Sequence, residues 1–328
     1  MLIEAFSQAK RPGEPERNED ALVVIPGRAY AVIDGATDRS GRRYEGATSG
    51  QLAARAVASA LHALFGAIEP ARFDTATTLT AATSAIAGEY CRLGIGDLAR
   101  RDRNNRFNAT LALAVPQGPT LHLLLVGDSG IRVNGRDLHQ QNKLLDTITA
   151  SLRVAAFARL RASGVAEERI DALAAHVTFH GTRHGAANGL TEEDLAAIEA
   201  DVLARHRGAH PEIPAPVLES LVAGGILFGQ SPHQNNAASP LGYSCLDGFP
   251  IPACLIRTAA LPLAGVHEIE LFTDGYFAPG ETVGLAAWEA AFARVEALDP
   301  HKIGAFPSVK GSVAGAFADD RTYLRVSP

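Results

Sequence analysis

Three short apolar runs of the sequence each end in an aspartate. The runs are AYAVIDG, LHLLLVGDSG and IELFTDG, and they place Asp34, Asp128 and Asp274 at their ends. Each run is bounded by glycine and is too short for a typical helix, so the pattern predicts three buried β-strands. A fourth acidic cluster, Asp319 and Asp320, precedes the final apolar segment RTYLRV. The strands are therefore expected to bring carboxylates to the ends of sheets.

Such a group of carboxylates is stable only if its charge is compensated. Two carboxylates about 4 Å apart repel by roughly 4 kcal/mol at an effective dielectric constant near 20. Bound cations or protonation would relieve that repulsion. Ligands that are all oxygen atoms favour hard cations such as Mg²⁺ or Mn²⁺ over Zn²⁺. The residues alone therefore indicate a metal-carboxylate hydrolase site.

Composition narrows the class of protein further. The chain has 328 residues and a net charge of −6, which disfavours a general surface for nucleic-acid backbones. Its 3 cysteines form no CxxC pair, as is typical of a reducing cytosol. The N-terminus lacks the apolar core of a signal peptide, and no apolar stretch reaches the ~18 residues of a membrane helix. We therefore predict a soluble cytoplasmic protein with no nucleic-acid and no membrane partner.

The order of predicted elements favours antiparallel sheets flanked by helices. Residues 1–36 are predicted to form antiparallel strands, and Pro-Gln-Gly-Pro at 116–119 predicts a hairpin between two buried strands. Strands do not alternate regularly with helices, which disfavours a parallel doubly wound sheet. Further elements are predicted as helices at 44–66, 75–101, 192–206 and about 283–297, and as a strand at 321–326.

The middle of the chain differs from its two ends. Residues 143–228 are mostly helical in pattern, and Thr191 with Asp194 resembles a capping box. Residues 229–253 are rich in turn residues and are predicted to form a long surface loop. The prediction is a single domain over 1–328, interrupted by a mostly helical insert or flap at about 143–253. We expect this insert to shape access to the site.

Five short motifs are spread over nearly the whole length of the chain. They are NEDA at 18–21, VIDG at 32–35, VGDSG at 126–130, LFTDG at 271–275 and DDRT at 319–322. In order and approximate spacing, the chain resembles the metal-dependent PPM-type (type 2C) serine/threonine protein phosphatases over nearly its whole length. The resemblance implies an α+β fold, a four-layer α-β-β-α sandwich of two antiparallel sheets. It also implies hydrolysis of phosphomonoesters with Mg²⁺ or Mn²⁺.

The resemblance also implies a set of metal ligands. These are Glu19, Asp20, Asp34, the Gly35 carbonyl, Asp128, Asp274 and Asp319. Asp34 matches the aspartate that bridges two metals, and Asp274 and Asp319 match the ligands of the first metal. Glu19 matches a residue on the side of the second metal, and Asp128 matches a residue of a third, weaker site. Two or three ions are thus implied, with a metal-bridging water as the nucleophile.

Four features depart from the family pattern, and one of them is Asp319-Asp320 where the family has Asp-Asn. The arginine that binds substrate phosphate is replaced by Pro15, which leaves Arg17 and Arg11 as candidates. The family's DGxGG turn becomes DGATD, and Asp38 is the candidate proton donor in place of a histidine. The arginine of the GDSR turn becomes Gly130, with Arg132 nearby in sequence. Thr110 and Ser129 are expected to be structural.

A second set of metal-binding candidates is the series His176, His180 and His184. Such spacing places histidines on one face of a helix and suits Zn²⁺, but Phe179 and Gly181 argue against a helix there. A polar surface or scattered core histidines is the simpler interpretation. A zinc hydrolase that uses these histidines is a third hypothesis about function.

The first hypothesis is a Mg²⁺/Mn²⁺-dependent phosphatase. Its substrate is a phosphoserine or phosphothreonine protein, or a small phosphomonoester. The alternative is a catalytically weak phosphatase-like domain that binds a partner or a phosphorylated ligand. The missing arginine favours the alternative. The acidic cluster favours the enzyme, because a pure binding module has no need of repelling carboxylates.

Overall fold

The computed structural model describes residues 1–69, 72–186 and 189–328. These residues form two compact units. Unit 1 comprises Met1–Asn142, Tyr243–Ala293 and Asp319–Pro328, and unit 2 comprises Lys143–Gly242 and Arg294–Ala318. Of the insert predicted at about 143–253, residues 187–188 lie outside the described part, and the flap role stays a prediction.

Unit 1 contains two five-stranded antiparallel sheets and a short two-stranded ribbon. The strands are β1 (Leu2–Gln8), β2 (Ala21–Ile25), β3 (Ala29–Ala36), β4 (Arg43–Tyr44), β5 (Ala47–Thr48), β6 (Asn108–Gln117), β7 (Thr120–Val126), β8 (Gly130–Val133), β9 (Asp137–His139), β10 (Arg257–Pro262), β11 (Ile269–Phe272) and β12 (Arg321–Ser327). One sheet has the order β1-β12-β11-β8-β9, and the other has the order β10-β7-β6-β3-β2.

Strand pairing confirms the predicted hairpin and corrects one predicted pairing. β6 and β7 pair antiparallel as far as Gln117 opposite Thr120, and Gly118 adopts a φ of 57° in the tight turn. β2 pairs antiparallel with β3, as predicted, but β1 pairs with the C-terminal β12. The prediction that β1 pairs locally is therefore wrong, because its partner lies at the other end of the chain.

The two large sheets pack face to face through a buried apolar layer. Val32 of β3, Ala112 of β6 and Leu123 of β7 contact residues of the other sheet, among them Leu271 of β11 and Leu324 of β12. These side chains alternate along their strands with residues that face outward, as expected when each strand buries one face in this layer. The α+β sandwich predicted from the resemblance is confirmed.

Helices cover the outer faces of the sheets in unit 1. They are α1 (Ser49–Phe65), α2 (Thr75–Arg92), α3 (Gly96–Arg101) and the first part of α8 (Leu285–Leu298). Thr48 caps α1 through a capping box with Gln51, and Val57 and Leu61 bury its apolar face against the β2-β3-β6 side. On the other sheet, the Trp288 ring lies 4.5 Å from that of Phe272. The predicted helix at 75–101 is broken at Gly94, whose φ is 66°.

Unit 2 is helical. Its helices are α4 (Leu144–Ala162), α5 (Glu167–His184), α6 (Glu192–Ala209) and α7 (Ala215–Gly224). Thr191 and Asp194 form the predicted capping box of α6. Within the described ranges of the whole chain, no helix is both long enough and apolar enough to cross a membrane.

Two local predictions are wrong. The His176–His184 segment is helical on either side of Gly181, because Ala174 and Val177 are buried by packing, but Gly181 itself is non-helical, with a φ of 73° and a ψ of 178°, as its presence suggested. The segment 229–253 is turn-rich as predicted but is not all on the surface. Leu246 is buried and exchanges two backbone hydrogen bonds with Ala109, each of 2.9 Å, within unit 1.

Candidate metal centre

Three strands of unit 1 bring their terminal carboxylates to one point. Asp34 lies near the end of β3, Asp128 follows β7 after one residue, and Asp274 follows β11 after one residue. One carboxylate oxygen from each lies within 4.8 Å of the other two. The two sheets that pack face to face thus both contribute to this cluster, which we call the acidic cluster.

More acidic groups surround these three. The charges of Asp20 and Asp319 both contribute to raising the pKa of Asp34, so both lie within electrostatic reach of it. The hydroxyl of Thr273 donates a hydrogen bond of 2.9 Å to Oδ2 of Asp20. The other oxygen of Asp20, Oδ1, is buried and accepts no hydrogen bond. A buried carboxylate oxygen without a hydrogen-bond partner is costly unless a cation lies beside it.

Glu19 and Asp320 extend the cluster on the side of β1. Oε1 of Glu19 accepts hydrogen bonds from the hydroxyls of Thr37 and Thr48. Asp320 is buried and accepts from the backbone nitrogens of Lys10 and Glu19 at 2.6 and 2.9 Å. Asp320 therefore joins the segment after β1 to the segment before β2, and it fixes where Glu19 enters the cluster.

Glycines allow the backbone to close around the acids. A Cβ on Gly35 would lie 2.2 Å from the carbonyl oxygen of Gly50, and a Cβ on Gly275 would lie 2.0 Å from that of Asp320. No side chain fits at either position without moving backbone. The two Asp-Gly pairs are thus required by packing at the site. In contrast, Asp247-Gly248 forms a turn in which Asp247 accepts a hydrogen bond of 3.1 Å from the backbone nitrogen of Phe249 and pairs with Arg106 at 3.0 Å.

The electrostatics of the cluster disfavour full ionisation. Burial, and next the charge of Asp274, raises the pKa of Asp34 well above its ordinary value. Burial also raises the pKa of Asp20 to about 8, with the negative charge of Asp320 adding to the rise. These are the shifts expected where like charges share a dry site. The carboxylates must therefore be protonated or must share bound cations.

The residues present fit divalent metal ions. All candidate ligands are oxygen atoms, which suits Mg²⁺ or Mn²⁺. The convergence of three carboxylates, the unpartnered Oδ1 of Asp20 and the raised pKa of Asp34 each point to a missing positive charge. The histidine series does not make a comparable group. Among the described residues, the only set of three or more possible ligands that close together is Asp34, Asp128 and Asp274.

Some residues singled out in the sequence have other contacts. Arg17 and Arg11 are about half exposed and both pair with Glu14, at 2.6 and 3.2 Å. Asp38 is buried and accepts hydrogen bonds from the backbone nitrogen of Ser40 at 2.9 Å and the hydroxyl of Tyr44 at 3.1 Å. The roles of Arg17 in phosphate binding and of Asp38 in proton donation stay predictions.

The remaining departures from the family pattern have structural explanations. The backbone of Gly130 packs so closely on the ring of Phe272 that a Cβ would lie 2.2 Å from it. Arg132 is buried and binds Glu270 with its Nε at 2.6 Å, so its guanidinium is used inside unit 1. The hydroxyls of Thr110 and Ser129 are buried and share a hydrogen bond of 2.5 Å, consistent with the structural part expected of them.

Sequence reasoning missed one cation. Lys10 places its ammonium Nζ 3.5 Å from Oε2 of Glu19 and 3.9 Å from Oδ1 of Asp319. The arginines that sequence spacing suggested lie in the turn after Lys10 and pair with Glu14 instead. The sequence places Lys10 two residues after the end of a predicted strand, β1, which was the one signal for its role. That signal did not show which strand β1 pairs with.

Comparison with known proteins identifies the family. Residues 13–302 match the sequence profile of Protein phosphatase 2C, which is most of the chain. The chain therefore belongs to the protein phosphatase 2C family, and it is a metal-dependent phosphatase that uses divalent cations of the Mg²⁺ or Mn²⁺ type. No curated protein matches the chain significantly.

Several solved bacterial phosphatases are similar in structure. The Staphylococcus aureus serine/threonine phosphatase Stp1 has a TM-score of 0.46 at 11% identity, covering 100% of this chain and 95% of its own. The Mycobacterium tuberculosis serine/threonine phosphatase PstP/Ppp has a TM-score of 0.43 at 15% identity, covering 100% and 99%. The catalytic domain of PstP in complex with 2 manganese ions has a TM-score of 0.44 at 15% identity, covering 99% and 97%.

Proposed function

We propose that the chain removes phosphate from phosphoserine or phosphothreonine in proteins, with two divalent ions held by the acidic cluster. The observation that carries this proposal is the convergence of Asp34, Asp128 and Asp274, whose ligand atoms lie within 4.8 Å of one another. Membership of the protein phosphatase 2C family supports the same reaction. A phosphoprotein substrate also fits the serine/threonine phosphatases to which the fold is similar.

The chain's own residues have distinct parts in this proposal. Asp34, near the end of β3, is assigned as the ligand that both ions would share. Asp274 and Asp319 are assigned to one ion, and Glu19 and Asp20 to the side of the other. The Gly35 carbonyl is assigned as a further ligand of the second ion, and Asp128 as a ligand of a third site. When bound, the ions supply an acidified water for attack on phosphorus and neutralise the phosphoryl oxygens.

The surrounding residues keep these ligands in place. The hydroxyls of Thr37 and Thr48 fix Oε1 of Glu19, and its Oε2 lies 3.5 Å from Nζ of Lys10. Thr273 fixes one oxygen of Asp20 in the same way and leaves Oδ1 open. Ligands whose second oxygen is already hydrogen-bonded lose little freedom when they bind a metal, so the cluster is preorganised.

Hydrolysis of p-nitrophenyl phosphate and of a phosphothreonine peptide in Mn²⁺ tests the proposal. Asp34→Asn and Asp274→Asn should each lower the rate at least about 100-fold, because each removes a ligand that holds the metals. Asp97→Asn, which changes a carboxylate whose side chain is 76% exposed in α3, is the matched control and should keep the parent rate.

The same assay separates the competing functions. Rates of Asp34→Asn and Asp274→Asn equal to the parent rate would reject the site. A folded parent protein that is inactive with Mg²⁺ and with Mn²⁺ would support the catalytically weak binding domain instead. Activity that follows added Zn²⁺ and is lost on substitution of His176 would support the zinc hypothesis.

A further inference from the structure

The position at which the family carries its phosphate-binding arginine holds Pro15 in this chain. The nearest arginines along the chain, Arg11 and Arg17, are both paired with Glu14 on the surface, with 52% and 47% of their side chains exposed. A positive side chain beside the metals would add charge-assisted hydrogen bonds to a substrate dianion and help to orient it.

Lys10 is a cation that the fold brings to Glu19 and Asp319, two of the acids around the acidic cluster. Its Nζ lies 3.5 Å from Oε2 of Glu19 and 3.9 Å from Oδ1 of Asp319. Both distances exceed the length of a good N–H···O hydrogen bond, about 2.7–3.2 Å. About a third of the side chain, 34%, is exposed. The ammonium thus lies beside two proposed metal ligands without being tightly held by either, and it is accessible to a ligand from solvent.

The backbone of Lys10 is held by a short hydrogen bond, whereas the contacts of its ammonium to Glu19 and Asp319 are long. Its backbone nitrogen donates to Oδ1 of Asp320 at 2.6 Å, and Oδ2 of Asp320 accepts from the nitrogen of Glu19 at 2.9 Å. Asp320 is buried, and the preceding Ala9 is buried as well. One carboxylate thereby holds Lys10 and Glu19 in register, which gives the lysine a defined starting point at the rim of the cluster.

We propose that Lys10 binds the phosphoryl group of the substrate and replaces the arginine missing at position 15. This inference rests on the proposed function for the identity of its ligand. An ammonium carries three donors, and the two long contacts to Glu19 and Asp319 leave it able to turn toward a dianion. Lysine binds phosphate as a point charge, so the site tolerates variation in substrate shape more than a bidentate arginine would.

Calorimetric titration of the Mn²⁺-loaded protein with inorganic phosphate tests the proposal without relying on turnover. Lys10→Met should weaken phosphate binding about 10- to 100-fold, the usual effect of losing one hydrogen bond to a charged group. Lys10→Arg should restore most of the affinity. A separate titration with Mn²⁺ should show metal binding by Lys10→Met that is as tight as in the parent or tighter, because a cation beside Glu19 and Asp319 has been removed. Arg100→Met, an exposed residue of α3, controls for the loss of a positive charge.

Each outcome decides the matter. Phosphate affinity of Lys10→Met within twofold of the parent overturns the proposal, as does a parent that binds no phosphate. A weakened affinity that saturating Mn²⁺ restores means that Lys10 only supports metal binding, which also overturns it. If Arg17→Met loses phosphate affinity and Lys10→Met does not, Arg17 binds the phosphoryl group and the proposal is overturned. A parent that binds phosphate through Lys10 but hydrolyses no substrate upholds this inference while the proposed function fails.

Discussion

Asp34→Asn should stabilise the metal-free protein while it abolishes activity. The ligand atoms of Asp34, Asp128 and Asp274 lie within 4.8 Å of one another. At an effective dielectric constant near 20, two charges 4.8 Å apart repel by about 3.5 kcal/mol, and closer charges repel more. Asp34 has two such neighbours, so ionisation of all three carboxyls would cost at least about 7 kcal/mol in repulsion.

Protonation limits this cost. Keeping one carboxyl protonated at pH 7 costs about 4 kcal/mol relative to a free aspartate, so the repulsion cannot exceed that value. Asparagine keeps the size and polarity of the side chain but carries no charge. The metal-free Asp34→Asn protein should therefore be more stable than the parent by about 2–4 kcal/mol, or about 4 °C in melting temperature for a chain of this length. Because the pKa of Asp34 is raised, the difference in stability between the variant and the parent should depend on pH.

A carboxyl whose folded-state pKa is raised contributes stability at low pH and loses it as the pH rises toward that pKa. The advantage of Asp34→Asn should consequently be small at pH 5 and larger at pH 7.5. Thermal melts in EDTA at both values measure it, with Asp97→Asn as a control that should melt as the parent does. Saturating Mn²⁺ should stabilise the parent by about 3 kcal/mol at 100 times its Kd and the variant much less. A metal-free Asp34→Asn protein no more stable than the parent at pH 7.5 would refute the reasoning.

Three further substitutions test other parts of the structure, two in unit 1 and one in unit 2. Glu289→Gln should weaken Mn²⁺ binding about 10-fold in calorimetric titration. Glu289 accepts hydrogen bonds of 2.8 and 3.0 Å from Arg321, which follows the acidic pair Asp319-Asp320. Unchanged Mn²⁺ affinity would mean that α8 does not support the site. Gly130→Ala should lower the free energy of unfolding, measured in urea, by about 1–3 kcal/mol, because the added Cβ would lie 2.2 Å from the ring of Phe272. Stability equal to that of the parent would show that this contact relaxes freely. Burial lowers the pKa of His206, so acid below pH 6.5 should destabilise the parent through this group. His206→Gln should reduce the stability lost between pH 6.5 and pH 5 in paired urea melts, and an identical loss would exclude His206 as a contributor.

The parts of the site that the sequence predicted are those that local chemistry determines. Asp34, Asp128 and Asp274 each end an apolar run, and a strand end is where a buried segment meets a polar group. The fold class followed from the irregular order of strands and helices together with the family motifs. Capping signals such as Thr191 with Asp194 were readable because they act within one turn of helix.

The parts that were missed depend on contacts between distant residues. Lys10 reaches the cluster because β1 pairs with β12, a register in which Gln8 lies opposite Arg321. No local pattern reveals that pairing. The conformation of residues 11–17 brings Glu14 to both nearby arginines, which spacing alone cannot show. The helix around His176 likewise forms despite Gly181 because tertiary packing buries one face.

The location of divalent ions relative to Asp34 tests the central claim most directly. A crystal soaked in Mn²⁺ and measured at the manganese absorption edge should show anomalous density between Asp34 and Asp274, with carboxylate oxygens about 2.0–2.3 Å from the ion, and a second peak on the Glu19 side of Asp34. Manganese peaks only elsewhere in the molecule, or none at an Mn²⁺ concentration that supports hydrolysis, would contradict a metal-carboxylate mechanism for this chain.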